Sequence, residues 1–451
     1  MARDERESHQ GKSLENGGAL DGIREEPGSG AAMPSYAEVF RTPGYLAIFI
    51  AAALSTWGDY LARVVVAAFV LDRTGSPFAA AAIFAVSLLP TIFGRSLLAP
   101  IADRVPYKYV LIVVHVLRAA LVGVLIFAVQ VADQAQAAGG PIPLWMIFTL
   151  LFLIELVGGP AVPSSQILLT DLFSNRRLYA RALGLGTMSE QVNQAIGLTL
   201  GGFMVAWVGT LGGLVFDLAT FLVSATVIAV VVKATAVHGT PSAGFGGFFR
   251  DLGDGATYLF RNPVLVSLLA LSLCSVWAIA APEAVAIAYA KDSSGSARFG
   301  GLLMAAPVFG ALAGLLMVGR WQPDRQNSRI IVMALLMPLP LLMTVFVPPV
   351  PITWLLWFCC GMLQAFMLPL QSTFSLVVPD RMRGRVFGLG GALSVAAGGA
   401  AFLVAGYLAE HTSPAAAVTA CALVSLLAII ILAVRWPRAA LRTAVETAYS
   451  S

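Results

Sequence analysis

Charge is what this sequence has least of. Only 12% of its 451 residues are Asp, Glu, Lys or Arg, against roughly 25% in an ordinary water-soluble domain. With 58% of the residues hydrophobic, the chain has more apolar surface than a soluble core can hide, which excludes a soluble multidomain enzyme. Cysteine is scarce too. Cys274, Cys359, Cys360 and Cys421 lie in apolar stretches with neither metal-ligand spacing nor a disulfide framework, so they read as core residues. Zinc-protease motifs and nucleophile elbows are missing, and no catalytic residue, metal or cofactor is expected. The one Gly-Lys-Ser, Gly11 to Ser13, has Arg6 where a phosphate-binding loop needs its first Gly, which argues against an ATP-driven machine.

What the chain does have is long apolar runs, and a mean hydropathy of +0.83. Twelve runs exceed about 18 residues and are bounded by charge or by Pro/Gly clusters. They lie near 44–70, 76–100, 108–132, 143–170, 182–208 and 212–233, then 263–290, 299–319, 329–350, 351–374, 386–410 and 414–434. The fold class expected is an all-α membrane protein, with 12 transmembrane helices in two six-helix bundles. Lys and Arg resist translocation, so their distribution sets orientation. Loops after even-numbered spans carry fourteen of them and odd ones only Arg73, Lys291 and Arg298. Both termini are thereby expected in the cytoplasm of a bacterial (inner) cell membrane. The net charge of +4 reflects these loops and implies no nucleic acid.

The expected organisation is a disordered, polar cytoplasmic tail over 1–42 with no cleavable signal peptide, a first bundle over 43–233, a cytoplasmic linker over 234–262, a second bundle over 263–434 and a tail over 435–451. The second part of the linker has apolar residues at helical spacing, as in a helix lying on a membrane surface. The halves repeat. Asp103-Arg104 with Lys108 matches Asp324-Arg325 with Arg329, and Arg181-Ala182-Leu183-Gly184-Leu185-Gly186 matches Arg385-Val386-Phe387-Gly388-Leu389-Gly390. Two halves with a site between them at mid-membrane is the architecture such repetition implies.

The stretch Ala99-Pro100-Ile101-Ala102-Asp103-Arg104-Val105-Pro106-Tyr107-Lys108 resembles the loop signature of the major facilitator superfamily, with Ala99 and Pro106 in place of its two glycines. Val378 to Phe387 and Phe216 to Leu222 resemble the branch of macrolide-efflux proteins and the enterobactin exporter. The resemblance implies alternating access, with a gate built from Asp103, Arg104, Lys108, Asp324, Arg325, Arg381 and Arg385. It also places Gly184, Gly197, Gly201 and Gly202 where family exporters carry a helix-packing motif, although Asn193 and Leu198 replace a Gly and a Pro of that motif. The fourth-span Arg of drug–proton antiporters is absent, Ile154 standing there beside Glu155.

Charge inside hydrocarbon costs several kcal/mol, so it marks function or a partner. Eight such residues fall in the spans: Asp59, Arg63, Arg95, Arg118, Glu155, Glu190, Asp217 and Glu283. Asp59 and Arg63, four apart, share a helix face and can pair. Glu155, at the centre of the fourth span, is the leading proton site, with Arg118 as a partner whose separation from it would switch the proton. Glu190 is counted with this proton-coupling set, although Gln191, Asn193 and Gln194 also suit it to a polar interhelical contact. Asp217 and Glu283 are expected nearer the outer ends, at a rim or gate. A substrate cavity is expected from Trp57, Trp277, Gln364 and Gln371, with Trp354 and Trp357 as interface anchors. These features anticipate a monomeric, proton-coupled secondary transporter exporting a hydrophobic or amphiphilic small molecule such as a drug, macrolide or siderophore across the lipid bilayer. A nutrient or metabolite importer of the same fold, and a non-transporting receptor, scaffold or lipid scramblase, are the competing readings.

Overall fold

The computed structural model of the chain describes residues 35–102, 105–140, 143–173, 175–232 and 244–437. Among these the regular structure is helical throughout, without strands. A short helix, Tyr36–Arg41, precedes twelve spans. The first six are Tyr45–Thr74, Pro77–Ala102, Tyr107–Ala137, a fourth made of Leu144–Gly158 and Ala161–Leu172, Arg176–Trp207 and Gly209–Val231. Helix Gly244–Arg261 links them to Pro263–Ser294, to Gly300–Val318 and, after the short helix Pro323–Ser328, to a ninth span of Ile330–Leu336, Leu339–Leu342 and the turn Met343–Phe346. The tenth is Val350–Leu363 and Met367–Val377, the eleventh Asp380–His411 and the twelfth Pro414–Val434. Eight helices among the described residues are long and apolar enough to cross a membrane unaided, and shorter apolar helices supply much of the rest. The chain is an all-α, multi-pass membrane protein of two pseudo-symmetric six-helix bundles.

Local chemistry places the ends in matched positions. The first and seventh spans both stop at a left-handed Gly, Gly75 (φ 68°) and Gly295 (φ 69°), whose N–H groups bond the carbonyls of Leu71 and Lys291 at 2.9 Å. A side chain at either position would strain the backbone, and the bond satisfies a carbonyl the helix end leaves open. The fifth and seventh spans open on Asn175 and Asn262, each of whose side chains accepts two backbone N–H groups of the first turn. The fourth and tenth spans, equivalent in the two halves, are both interrupted: at Gly159-Pro160, where Pro lacks the N–H to continue, and at a tight turn over Gln364–Phe366. Interrupted backbone at membrane depth is tolerated where protein or a wet cavity covers it.

The first and seventh spans are enclosed on all sides in their second halves. Val64, Val65, Val66, Ala67 and Val70 are consecutive or nearly so and all 0–1% exposed, which no single buried helix face could produce. Lys and Arg cluster in the loops after even-numbered spans, defining a basic end; the halves clasp each other at the opposite end. There Gly202 of the fifth span lies against the Arg298 carbonyl and Gly301, and Gly406 of the eleventh against Ala81 and Phe78. Glu410 accepts from the Ser76 hydroxyl and, at 3.1 Å, from the Phe78 N–H at the start of the second span. Lys291 pairs with Asp72 at 3.5 Å.

Candidate functional site

Four charged side chains of the first half meet near mid-membrane. Asp59 stands ~21 Å along its helix from Tyr45 and Arg118 ~17 Å from Tyr107, at the 1.5 Å rise of an α-helix. The Arg118 guanidinium forks onto both oxygens of Asp59, at 3.1 Å from Nη1 and 2.5 Å from Nη2, while its Nε donates to the Ile154 carbonyl at 3.1 Å. Its Nη2 also lies 3.7 Å from Glu155 Oε2. Arg63 donates from Nε and Nη2 to Glu155 Oε1, at 3.1 and 2.6 Å. All four side chains are at most 18% exposed. Two carboxylates and two guanidiniums thus alternate across the first, third and fourth spans. Gly158 makes room, since a Cβ there would come within 3.1 Å of the Arg118 guanidinium carbon. The Asp59–Arg63 pairing expected within one helix gives way to two pairings between helices: both residues face inward, and each reaches a better-aligned partner on a neighbouring span.

The sixth span completes the cluster and corrects an expectation. Asp217, anticipated at an outer rim, is 2% exposed. Its helix starts at Gly209, three residues before the sequence limit, and Gly58 lets the first span approach so closely that a Cβ there would collide with Asp217 Oδ1 and Thr220 Oγ1. Oδ1 has no hydrogen-bond partner among the described residues. The phrase Phe216 to Leu222 therefore has a structural purpose at helical spacing. Asp217 faces the cluster, Thr220 donates to the Asp217 carbonyl at 2.7 Å, and Phe221 lies 4.5 Å beneath the Arg118 guanidinium. One turn on, Ser224 donates to the Ala51 carbonyl at 3.0 Å, holding the two spans together. His115 packs 6.0 Å from Phe221, its Nδ1 unpartnered among the described residues.

Other expected residues fall variously. Glu190 is exposed and stands outside this ion-pair network. Gly197 and Gly201 pack the fifth span onto the first, against Tyr60 and Val64, and Gly202 packs onto the other half; Gly184 meets nothing within 4 Å and is no packing residue. Of the gate set, Asp103 and Arg104 lie outside the described residues, as does the side chain of Asp324 and that of Arg95. Lys108 donates to the Ala229 carbonyl at 2.8 Å, near the C-terminus of the sixth span, where a cation is favoured. Arg325 stacks 5.4 Å from the Trp321 ring, Arg381 is exposed, and Arg385 pairs with Asp254 of the linker helix at 3.1 Å. Trp57 donates to Asn193 Oδ1 at 2.8 Å, so the Asn that departs from the exporter pattern ties the first and fifth spans. Trp357, expected at an interface, is fully buried and donates to Thr344 at 3.3 Å.

A cavity of about 300 Å³ lies between the halves. Tyr60 and Arg63 of the first span, Phe84 and Leu88 of the second, Glu283 of the seventh, Gln364 of the tenth and Phe402 of the eleventh line it. Glu283, like Asp217, departs from the rim position expected of it; it lies 20 residues into its helix, and the packing of the bundle turns it to the interior. Gln371, expected beside Gln364 in the substrate cavity, lies past the tight turn of Gln364–Phe366 and lines a separate cavity of about 260 Å³ within the second half, with Ser272, Phe374 and Phe387. Trp57 and Trp277 line neither. The charged cluster therefore abuts the inter-half cavity through Arg63, whose guanidinium is held by Glu155 on one side while Arg63 borders the cavity on the other.

Comparison with known proteins accords with this geometry. The profile of the Major Facilitator Superfamily matches residues 48–402 and 285–448. The multidrug efflux pump Tap of Mycobacterium tuberculosis (strain ATCC 25618 / H37Rv) is 25% identical over 388 residues, covering 82% of this chain and 88% of that protein. An uncharacterized MFS-type transporter of Bacillus subtilis (strain 168), YkuC, is 27% identical over 239 residues; the match spans about half of each chain, 51% of this one and 53% of that. Among solved structures, the nucleoside transporter NupG superposes with a TM-score of 0.66 at 12% identity, over 87% of this chain and 98% of that one. A bacterial homologue of the iron transporter ferroportin, in an inward-facing state, superposes with a TM-score of 0.61 at 16% identity, over 88% and 99%.

Proposed function

This chain belongs to the Major Facilitator Superfamily, and from that premise we propose that it is a proton-coupled exporter of hydrophobic or amphiphilic small molecules, working by alternating access. The observation that carries the reading is the alternating chain Asp59–Arg118–Glu155–Arg63, whose last member borders the inter-half cavity. A carboxylate gripped by a guanidinium holds its proton only when the two part, so a proton arriving at Asp59 or Glu155 releases Arg118 or Arg63, and a shift of the first or third span follows. The converse also holds: an arginine drawn toward the cavity loosens its carboxylate. Protonation and cavity occupancy are then linked through one set of side chains, which is what coupling requires. The basic end faces the cytoplasm of a bacterial inner membrane, by the distribution of Lys and Arg. The clasped end is then the outer one. The named relatives include a multidrug efflux pump, which favours export over uptake. The protein acts as a monomer on substrate drawn from the bilayer and needs no cofactor.

Everted membrane vesicles with an imposed pH gradient test this, with the neutral lipophilic dye Nile red as probe. Vesicles holding the wild-type chain accumulate the dye only while the gradient lasts, and Glu155→Gln vesicles fail to. Undiminished gradient-driven accumulation by Glu155→Gln refutes the coupling site. Accumulation confined to right-side-out vesicles identifies an importer instead.

A further inference from the structure

We propose that the loop between the eighth and ninth spans, at the basic end, is a binding site for the head group of an anionic phospholipid, held by Arg320, Arg325 and Arg329 around the Trp321 ring; this goes beyond the export reading and does not depend on it. The eighth span ends at Val318, and the short helix Pro323–Ser328 leads from the loop to Ile330 at the start of the ninth. Gln326 fixes the loop: its Nε2 donates to the Val318 carbonyl at 3.1 Å and to the Trp321 carbonyl at 2.9 Å. The Val318 carbonyl is one that a helix end leaves open. Trp321 is thereby set beside the end of the span, half-buried, with the guanidinium carbons of Arg325 and Arg329 at 5.4 and 4.8 Å from its ring. Arg320, its neighbour in sequence, is exposed, as are Arg325 and Arg329.

Three positive charges gathered on one short loop repel one another. None of the three forms an ion pair among the described residues, whereas Arg385 has Asp254, Arg73 has Asp133 and Lys291 has Asp72. Stacking on Trp321 positions two of the charges without neutralising them. A phosphodiester supplies the missing charge, because the planar fork of a guanidinium matches its oxygens, and anionic lipids gather where basic residues meet a membrane surface. The residues below the loop favour a lipid over a soluble phosphate. Leu316 lies four positions before Arg320, and Val332 and Leu336 lie three and seven after Arg329, so helical spacing sets apolar residues beneath both charges. Leu316 is 56% exposed, Val332 54% and Leu336 42%, which in a membrane means contact with acyl chains. A Trp at the boundary, a basic layer on one side of it and an exposed apolar layer on the other match the two parts of a phospholipid. The site belongs to one half only. With Asp103 aligned to Asp324, the first-half loop has Ala99 and Pro100 where Arg320 and Trp321 stand, and Lys108, the counterpart of Arg329, donates to the Ala229 carbonyl.

The test is native mass spectrometry of the full chain released from detergent micelles, titrated with dioleoyl phosphatidylglycerol, with zwitterionic dioleoyl phosphatidylcholine and with inorganic phosphate. The wild type retains phosphatidylglycerol in preference to phosphatidylcholine, and excess inorganic phosphate does not displace it. Replacing both Arg325→Gln and Arg329→Gln weakens phosphatidylglycerol about thirtyfold, at about fivefold for each basic residue near an anionic surface. Arg325→Lys with Arg329→Lys keeps most of the affinity and guards against a misfolded Gln variant. Arg261→Gln, at an exposed position of the same end but outside the loop, leaves the affinity as in the wild type. Equal affinity for the two lipids, displacement by inorganic phosphate, or a double Gln variant that binds like the wild type each overturns the proposal. So does an equal loss in Arg261→Gln, which would reduce the site to the general charge of the basic end. Gradient-driven Nile red export is read separately: export without lipid selectivity leaves the exporter and removes the lipid site, and loop-dependent lipid binding without gradient-driven transport does the reverse.

Discussion

The contact between Gly202 and Gly301 offers a direct measure of how strongly the clasped end holds the halves together. A Cβ on Gly202 would lie 2.8 Å from the Arg298 carbonyl oxygen and 3.1 Å from the Gly301 nitrogen, both of them backbone atoms. The fifth and eighth spans must therefore separate by about 0.6 Å to restore the 3.4 Å of ordinary contact, and by more for a branched side chain. Overpacking of this kind costs about 1–3 kcal/mol, and the cost falls only on the state in which these helices touch. Gly202→Val accordingly shifts the balance between conformations by a factor of about 5 to 150 toward the one open at this end. Spin labels at Ala138→Cys and Phe346→Cys, both exposed and in different halves at that end, read the change as a longer-distance population in double electron–electron resonance, on a background with the four native cysteines replaced. Gly184→Ala, with nothing within 4 Å, leaves the distribution as in the wild type. An unchanged distribution in a folded Gly202→Val protein would show that the close approach does not set the conformational balance, and the reasoning would fall.

Three further outcomes follow from the same contacts. Gly58→Ala drives a methyl group into Asp217 Oδ1 and Thr220 Oγ1; it should lower the thermal midpoint and abolish gradient-driven Nile red accumulation, and wild-type values for both would show that the sixth span yields without consequence. Arg118→Gln leaves Asp59 without its bidentate partner, at a cost of about 3–5 kcal/mol by the usual scale for a broken buried pair. Adding Asp59→Asn should recover most of that cost in thermal-shift measurements, and a strictly additive double variant would refute the pairing. Glu410→Gln weakens the clasp on Ser76 and Phe78 at an exposed position, so its effect on stability stays below about 1 kcal/mol. It should show mainly as a modest rise in the longer-distance population of the same spin-label pair.

The spans, their grouping and the identity of the charged residues were all readable in the order of residues, because hydrocarbon forces a long apolar run on every crossing. The eight intramembrane charges were equally plain, since each is costly wherever it points. The direction each of them faces was not. Asp59 and Arg63 share a helix face and look like partners, yet each binds across a helix gap, to Arg118 and Glu155. Asp217 and Glu283 looked peripheral by their distance from a run's end. Their burial depends on Gly58 and on the packing of the bundle, and a position along one helix contains neither. The glycines show the same divide: Gly184 and Gly202 are alike in sequence, and only contact with Gly301 tells them apart.

Solvent, span number and the basic end are properties of residues one at a time or in short windows, and a chain with 12% charge determines them by itself. Which carboxylate meets which guanidinium, and which one is left to face the cavity, depends on residues as far apart as Arg63 and Glu155. Only the tertiary structure brings those together, because charge pairing acts over a few ångströms and is indifferent to separation along the chain.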